Sequence, residues 1–261
     1  MISNRTQDTA KTGGIAVIIL AAGLGTRMRS DRAKVLHELR GRAMILYVVE
    51  TAKKIAGDNI ILVVGHQADT VRTIVSDYAT VHYALQKEQR GTGHAVQTAL
   101  PLLGKQTEHV VILCGDVPLL SSDTVHALVN DHIEKGRDMT LLAVDLENPF
   151  GYGRLILDGN RNLKKIVEET DATAEQKKVR TINAGIYCLK KEVLTDLIHH
   201  LQPANRQREL YLTDIVEIGN RHGKRIGVLF GKDPDEITGV NTAEDLSAVE
   251  RRLNFRMMKK S

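Results

Sequence analysis

Cysteine is scarce: of 261 residues only Cys114 and Cys188 are cysteines, and they do not form a C-x-x-C pair. Both sit in apolar, strand-like stretches, which reads as two buried free thiols in a reducing compartment rather than a disulfide framework. Long apolar runs are missing too. The longest, residues 15–22, falls far short of the roughly 20 residues that a membrane span takes. Residues 1–14 are polar and lack the apolar centre of a secretory leader. These absences lead to the expectation of a soluble, cytoplasmic protein with no membrane partner. No histidine pair has metal-ligand spacing, and no internal repeat or low-complexity segment is visible.

A large excess of one charge is also lacking. The net charge is +4, which invites a nucleic-acid reading, but its placement argues otherwise. Residues 251–261 carry Arg251, Arg252, Arg256, Lys259 and Lys260 and no acid, and residues 1–14 add one net positive charge. The body between them is slightly acidic, so no nucleic-acid partner is expected.

What is present is the rhythm of an α/β domain. Residues 15–20 form a continuous β-branched run suited to a strand buried on both faces. Residues 44–56 place apolar side chains at helical spacing and close on Gly57. Strands are expected at 60–64, 81–85, 109–114 and 139–146, with helices at 69–78, from 93, and from Ser122 to about Lys135, capped by Ser122 or Asp123. This alternation predicts a parallel sheet with right-handed crossovers. After Pro149 the pattern changes to strands at 154–157, 163–167 and 179–189. Helices at 190–201 and 213–221, a strand at 225–230 and a last helix at 242–257, capped by Thr242, complete it. The expectation is a polar tail (1–14), one α/β domain (15–250) with a mixed-sheet second half, and a basic helix end (251–261).

The densest chemistry lies in Leu20-Ala21-Ala22-Gly23-Leu24-Gly25-Thr26-Arg27-Met28, with Lys34 shortly after. Glycines following a buried strand let backbone N–H groups approach phosphate oxygens. The dinucleotide fingerprint is ruled out because Met28 stands at its third glycine, and no G-K-[S/T] marks a Walker loop. Arg27 and Lys34 suit a triphosphate whose leaving group gains charge. An ordinary βα turn with solvated charges reads equally well at this point. Asp116, after the strand at 109–114, could hold a Mg²⁺ ion or simply cap a turn.

Leu-Ala-Ala-Gly-x-Gly-Thr-Arg-Met with a downstream lysine resembles the signature loop of sugar-1-phosphate nucleotidyltransferases. Further segments narrow the resemblance: residues 86–95 (QKEQRGTGHA), Gly115-Asp116-Val117-Pro118-Leu119, Gly151-Tyr152-Gly153-Arg154, Ile166-Val167-Glu168, Ile182-Asn183-Ala184-Gly185 and Gly239-Val240-Asn241. In order and spacing they are similar to the uridylyltransferase domain of N-acetylglucosamine-1-phosphate uridylyltransferases, over about residues 15–250.

The resemblance implies a Rossmann-like nucleotidyltransferase fold of the nucleotide-diphospho-sugar transferase type, a central mixed, mostly parallel sheet flanked by helices. It implies uridylyl transfer from UTP to N-acetyl-α-D-glucosamine 1-phosphate, with Mg²⁺ as cofactor. Arg27 and Lys34 inherit the catalytic role, and Asp116 and Asn241 the metal. Leu20, Ala21, Ala22, Gly23, Lys34 and Gly115 inherit nucleotide contacts. Gln86, Gly91 and Thr92 inherit uracil recognition, and Gly153, Glu168, Asn183 and Asn241 the sugar-phosphate side.

Bland readings stand beside these roles. Asn241 could be a loop residue before a helix cap, Gln86 a polar strand end, His94 a helix-start or core residue, and Thr213 a plain N-cap beside Tyr211 in a sugar-side segment. Glu168 and Glu169 as a paired acid/base site is disfavoured, because strand neighbours point to opposite faces.

The chain departs from its relatives at Cys114, where they often carry Tyr, and at Ala33, where they often carry Pro. It also carries no hexapeptide repeats of the kind that build the left-handed β-helix acetyltransferase half. Competing functions are transfer to another sugar 1-phosphate, such as glucose 1-phosphate, and a non-catalytic UDP-sugar sensor. Oligomeric state is not legible.

Overall fold

Every apolar run read above as a strand is a strand in the computed structural model, which describes residues 14–160 and 162–258. The first half runs β1 (Ile15–Ala21), a short hairpin of β2 (Glu38–Leu39) and β3 (Arg42–Ala43), α1 (Met44–Ala56), β4 (Ile60–Val64), α2 (Ala68–Ser76), β5 (His82–Leu85), α3 (Thr92–Ala99), β6 (His109–Cys114), α4 (Ser122–Glu134) and β7 (Met139–Asp145). The second half adds β8 (Arg154–Leu157), β9 (Leu163–Val167), α5 (Ala174–Lys177), β10 (Thr181–Lys190), α6 (Lys191–Leu197), α7 (Asp214–Arg221), β11 (Ile226–Phe230) and α8 (Ala243–Met258). The expected tail at residues 1–14 lies, apart from Gly14, outside the described residues.

The main sheet has the order β11-β7-β10-β6-β1-β4-β5, with the β8–β9 hairpin attached to β10. β1 pairs in parallel with both β4 and β6, and β11 in parallel with β7. A mixed, mostly parallel sheet is therefore what forms. The uninterrupted parallel run expected through β7 does not: β10 wedges antiparallel between β6 and β7. Its residues explain the place. Ile182, Ala184, Ile186 and Cys188 enter one core and Tyr187 and Leu189 the other, so only a central position buries both faces. Chain order alone does not reveal such an insertion.

One face of the sheet is covered by α1, α2 and α4, the other by α3, α6 and α7. In α1 the buried residues are those at helical spacing, including Ile45, Val48, Val49, Ala52 and Ile55. The cap of α4 is Ser121, not Ser122 or Asp123: its extended backbone lets Oγ accept from the Thr124 N–H at 3.1 Å. A third, smaller cluster joins Met28, Leu39, Met44, Leu119, Val240 and Val249, with Leu246 and Leu253 packed against it. It fastens α8 under the loop after β1. The basic end expected from residue 251 continues α8, with Val249 in the cluster and Leu253 packed against it. Arg252 and Arg256 of its basic end pair with Asp235 and Asp233.

At the far end of the sheet, buried His132 lies between Thr140 Oγ1 (3.1 Å from Nδ1) and His109 Nδ1 (3.2 Å from Nε2). Burial, aided by the positive charges of His109, Lys190 and Arg137, lowers its pKa to about 4. The unfolded chain takes up this proton near 6.5, so below that pH it binds more protons than the native state and stability falls as pH drops. The expected loss is about 3 kcal/mol by pH 4. Urea unfolding of wild type and His132→Gln between pH 7 and 4 should show this component disappearing in the variant; parallel profiles would exclude it.

Candidate active site

β1 and β6 are neighbours, yet the chain leaves β1 toward β4. Their carboxyl ends therefore open a crevice, the usual ligand position in an open α/β sheet. Two cavities meet there. One, of about 420 Å³, is lined by Ala21, Ala22, Gly23, Lys34, Gln86 and Gly91 among others. The second, of about 210 Å³, is lined by Arg27, Tyr152, Gly153, Glu168, Asn183 and Asn241 among others. Leu20, Thr92, Cys114 and Asp116 line both, so the two form one channel. A larger hollow of about 720 Å³ lies at the opposite end of β6, around Thr107–His109 and Lys190–Glu192, and holds none of the motif residues.

At the junction four side chains converge. Lys34 Nζ donates to Asp116 Oδ2 at 2.5 Å and to Asn241 Oδ1 at 3.1 Å, and Arg27 donates to the same Asn241 oxygen at 2.8 Å. Separate devices place each one. Asp116 follows β6 directly, and its carbonyl accepts the Val240 N–H at 2.9 Å, which stitches the Asn241 loop to it. The N–H groups of Asn241 and Thr242 both donate to Asp245 Oδ2, while Thr242 Oγ1 accepts from the Asp245 N–H. Asn241 is thus both the residue before a cap and a member of the site.

Lys34 is placed by Gly25, whose φ of 66° and close approach (an added Cβ would stand 2.7 Å from Lys34 Cβ) admit only glycine comfortably. The departure at Ala33 has a structural counterpart. Its N–H, which proline lacks, donates to Gln67 Oε1 at 2.8 Å, and Gln67 Nε2 donates to the Asp31 carbonyl at 2.9 Å. The loop is held by two hydrogen bonds instead of by a ring.

Gln86 is buried at the end of the β5 segment and donates through Nε2 to the Gly91 carbonyl, beside His94 Nδ1. Gly91 has φ 102°, and an added Cβ would stand 2.6 Å from the Leu210 carbonyl oxygen. That obstacle is backbone and cannot swing away. Gly91→Ala is expected to cost about 2 kcal/mol of stability, readable as a lower urea midpoint; an unchanged midpoint would show that the turn relaxes freely. The Gly93 N–H donates to the Leu210 carbonyl and the Leu212 N–H to Thr92 Oγ1, so segment 209–213 is pinned beside this turn.

On the other side, Glu168 Oε1 accepts from Thr213 Oγ1 at 2.9 Å. Thr213 makes no side-chain cap on α7, so the plain N-cap reading fails there. Burial raises the Glu168 pKa against the lowering effect of that hydrogen bond. Glu169 turns away into ion pairs with Arg154 and Lys177, so the two carboxylates form no acid/base pair. Asn183 sits where β10 bulges against β7, accepting from the Gly185 N–H and donating to the Tyr187 hydroxyl.

Gly115 follows β6 beneath the loop after β1: its N–H donates to the Leu20 carbonyl at 2.9 Å, and an added Cβ would crowd Leu20, Ala21 and Ile45. The Tyr211 hydroxyl donates to Gln207 Oε1 at 2.7 Å and lies 3.4 Å from Thr170 Oγ1. Tyr152, Tyr187, Leu212 and Gly239 also line the channel; Tyr152 and Gly239 lie inside motifs quoted above without an expected role, and no local pattern sets Tyr187 and Leu212 apart from core residues. Cys114 lines it as well. Burial first, then the charge of Asp116, pushes its thiol up to about 12, which removes it as a nucleophile at neutral pH.

The nucleotidyl transferase family model matches residues 16–235. The chain belongs to that family. The bifunctional protein GlmU of Geobacter metallireducens is 45% identical over 250 residues, covering 94% of this chain and 52% of that protein. The bifunctional protein GlmU of Desulfotalea psychrophila is 38% identical over 246 residues, covering 94% and 72%. The chain spans about half the length of most such relatives. Among solved structures, a glucose-1-phosphate thymidylyltransferase from Bacillus anthracis aligns with a TM-score of 0.74 at 22% identity, over 91% of this chain and 94% of that one. A 4-diphosphocytidyl-2C-methyl-D-erythritol synthase from Anaerococcus prevotii aligns at 0.65 and 19% identity, over 94% and 100%. These two share the fold. No helix among the described residues is long and apolar enough to cross a membrane.

Proposed function

We propose that the chain transfers the uridylyl group of UTP to N-acetyl-α-D-glucosamine 1-phosphate, giving UDP-N-acetylglucosamine and pyrophosphate. The observation that carries this reading is the meeting of Lys34, Arg27, Asp116 and Asn241 where the two cavities join. A triphosphate entering from the base-side cavity and a sugar phosphate from the other bring their reacting atoms together at that point. A phosphate oxygen of the sugar phosphate forms a bond to the α-phosphorus, the bond from that phosphorus to the bridging oxygen breaks, and the electron pair leaves with pyrophosphate. No covalent enzyme intermediate is required. Such chemistry asks mainly for alignment and charge stabilisation. Lys34 and Arg27 supply positive charge to the transferring group and the departing pyrophosphate.

The Asp116 carboxylate and the Asn241 amide oxygen converge on one cation, the Lys34 ammonium, and this convergence supports a seat for a positive ion. They are hard ligands of the kind Mg²⁺ prefers, with phosphate oxygens and water completing the shell. Bound there, Mg²⁺ supplies Lewis-acid neutralisation of phosphate charge.

Gly23 and the backbone of Ala21 and Ala22 flank the phosphates, and Gln86, Gly91 and Thr92 face the base. Glu168, held by Thr213, accepts from sugar hydroxyls, while Asn183 and Gly153 shape the amino-sugar side. The nucleotide substrates and two free cysteines fit a cytoplasmic site of action.

A pyrophosphate-release assay across the four nucleoside triphosphates, each with N-acetylglucosamine, glucosamine and glucose 1-phosphates, tests the reading. UTP with the N-acetylated sugar is expected to exceed every other pair by at least about tenfold in kcat/KM. A preference for glucose 1-phosphate would move the assignment to that sugar, and binding without turnover would make the chain a sensor.

A further inference from the structure

We infer that His94 is a positioning residue for base selection, locking the Gln86 amide so that only its oxygen reads the nucleotide. The inference rests on the uridylyl reading for the identity of the base, but its geometry stands on three side-by-side hydrogen-bonding groups. Gln86 Nε2 lies 3.1 Å from the Gly91 carbonyl oxygen and 3.0 Å from His94 Nδ1. That carbonyl is fixed: it also accepts the Ala95 N–H, and Gly91 is wedged against the backbone of Leu210. A carbonyl oxygen accepts only, so the Gln86 amide must turn its NH₂ toward it; the reverse orientation would set two oxygens against each other. The second amide hydrogen then points at His94 Nδ1, which must accept. The imidazole is therefore held with its proton on Nε2.

The consequence lies on the other side of the amide. Both Gln86 N–H bonds are spent, and no donor among the described residues reaches Oε1, although Gln86 lines the base-side cavity. The neighbouring Gly91 N–H likewise has no acceptor among the described residues. One acceptor beside one donor complements an imide edge, where a ring N–H adjoins a carbonyl, as in uracil. Cytosine presents the opposite order, a bare ring nitrogen beside an amino group. Without an acceptor at position 94, one of the two bonds that hold this orientation is lost, and only the Gly91 carbonyl still opposes the turn that would bring the NH₂ to the base. His94 touches no base; it acts through Gln86.

Equilibrium binding of UTP and CTP by calorimetry, on wild type, His94→Leu and His94→Asn, tests this. Asparagine keeps an oxygen near the place of Nδ1, whereas leucine keeps only the bulk. His94→Leu is expected to lower the UTP-over-CTP affinity ratio about tenfold, the worth of one orienting hydrogen bond. His94→Asn should restore it to within about threefold of wild type. A purely packing role predicts that leucine performs at least as well as asparagine, and that result overturns the inference, as does an unchanged ratio in His94→Leu. Imidazole ¹⁵N NMR of the wild-type protein gives a readout that needs no variant to fold: Nδ1 must be the unprotonated nitrogen, and a protonated Nδ1 overturns the lock. Should wild type prefer UTP while His94→Leu keeps that preference, the lock fails and the uridylyl reading stands. Should wild type show no preference for UTP over CTP, both fail together.

Discussion

Lys34→Ala is expected to reduce turnover by about three orders of magnitude, the scale on which a transition-state charge contact is lost. The mutant protein should fold normally, since the turn at Lys34 is held by Gly25 packing on its Cβ and by the Ala33–Gln67 hydrogen bond, both of which alanine keeps. A second effect separates this account from a simple loss of structure. The Lys34 ammonium sits between Asp116 and Asn241, on the oxygens proposed for the metal. Removing it should make nucleotide-free Mn²⁺ binding tighter, even as turnover collapses. Titration of free Mn²⁺ by electron paramagnetic resonance checks the sign: weaker binding in Lys34→Ala would show that the lysine and the metal do not share a seat.

Asp116→Ala should cost about as much activity, and its Mn²⁺ affinity should move the other way. The side chain is removed, yet the Val240 N–H still bonds to the residue's carbonyl, so the Asn241 loop stays in register. Breaking the pair leaves Lys34 with Asn241 and partial solvent access, because the side chains of the pair are 16% and 20% exposed. Loss of stability on that account should stay within about 1–2 kcal/mol. Activity near that of wild type, or a melting temperature that collapses with the activity, would contradict the proposed division between scaffold and charge.

Lys34 and Asp116 were singled out through the resemblance of their motifs. The β-branched run of β6 puts Asp116 at the carboxyl edge of the sheet, but that pattern alone reads equally as a turn cap, and Lys34 lies well past the end of β1. The arrangement of the second half was less legible, for a topological reason. Nothing local to residues 181–190 says that this strand enters between β6 and β7, and its two apolar faces are equally consistent with any interior place. The β2–β3 hairpin escaped notice because strands of two residues have no periodicity. Thr213 shows the limit at the level of a single side chain. A threonine before a helix reads as a cap, and only the neighbouring Glu168, distant in sequence, draws its hydroxyl away. Gly115 shows a second limit: its place in a motif suggested ligand contact, and the motif does not show that a Cβ there would also crowd Leu20, Ala21 and Ile45. Gln67, which ties down the Lys34 loop, lies 34 residues from Ala33, and no pattern in the sequence links them.

The most direct measurement is chromatographic and mass-spectrometric identification of the product formed by the purified chain from UTP, N-acetylglucosamine 1-phosphate and Mg²⁺. The account predicts UDP-N-acetylglucosamine and pyrophosphate in equal amounts, with neither formed when the metal is chelated. Tight binding of both substrates with no nucleotide sugar formed, or formation that persists without a divalent cation, would contradict it.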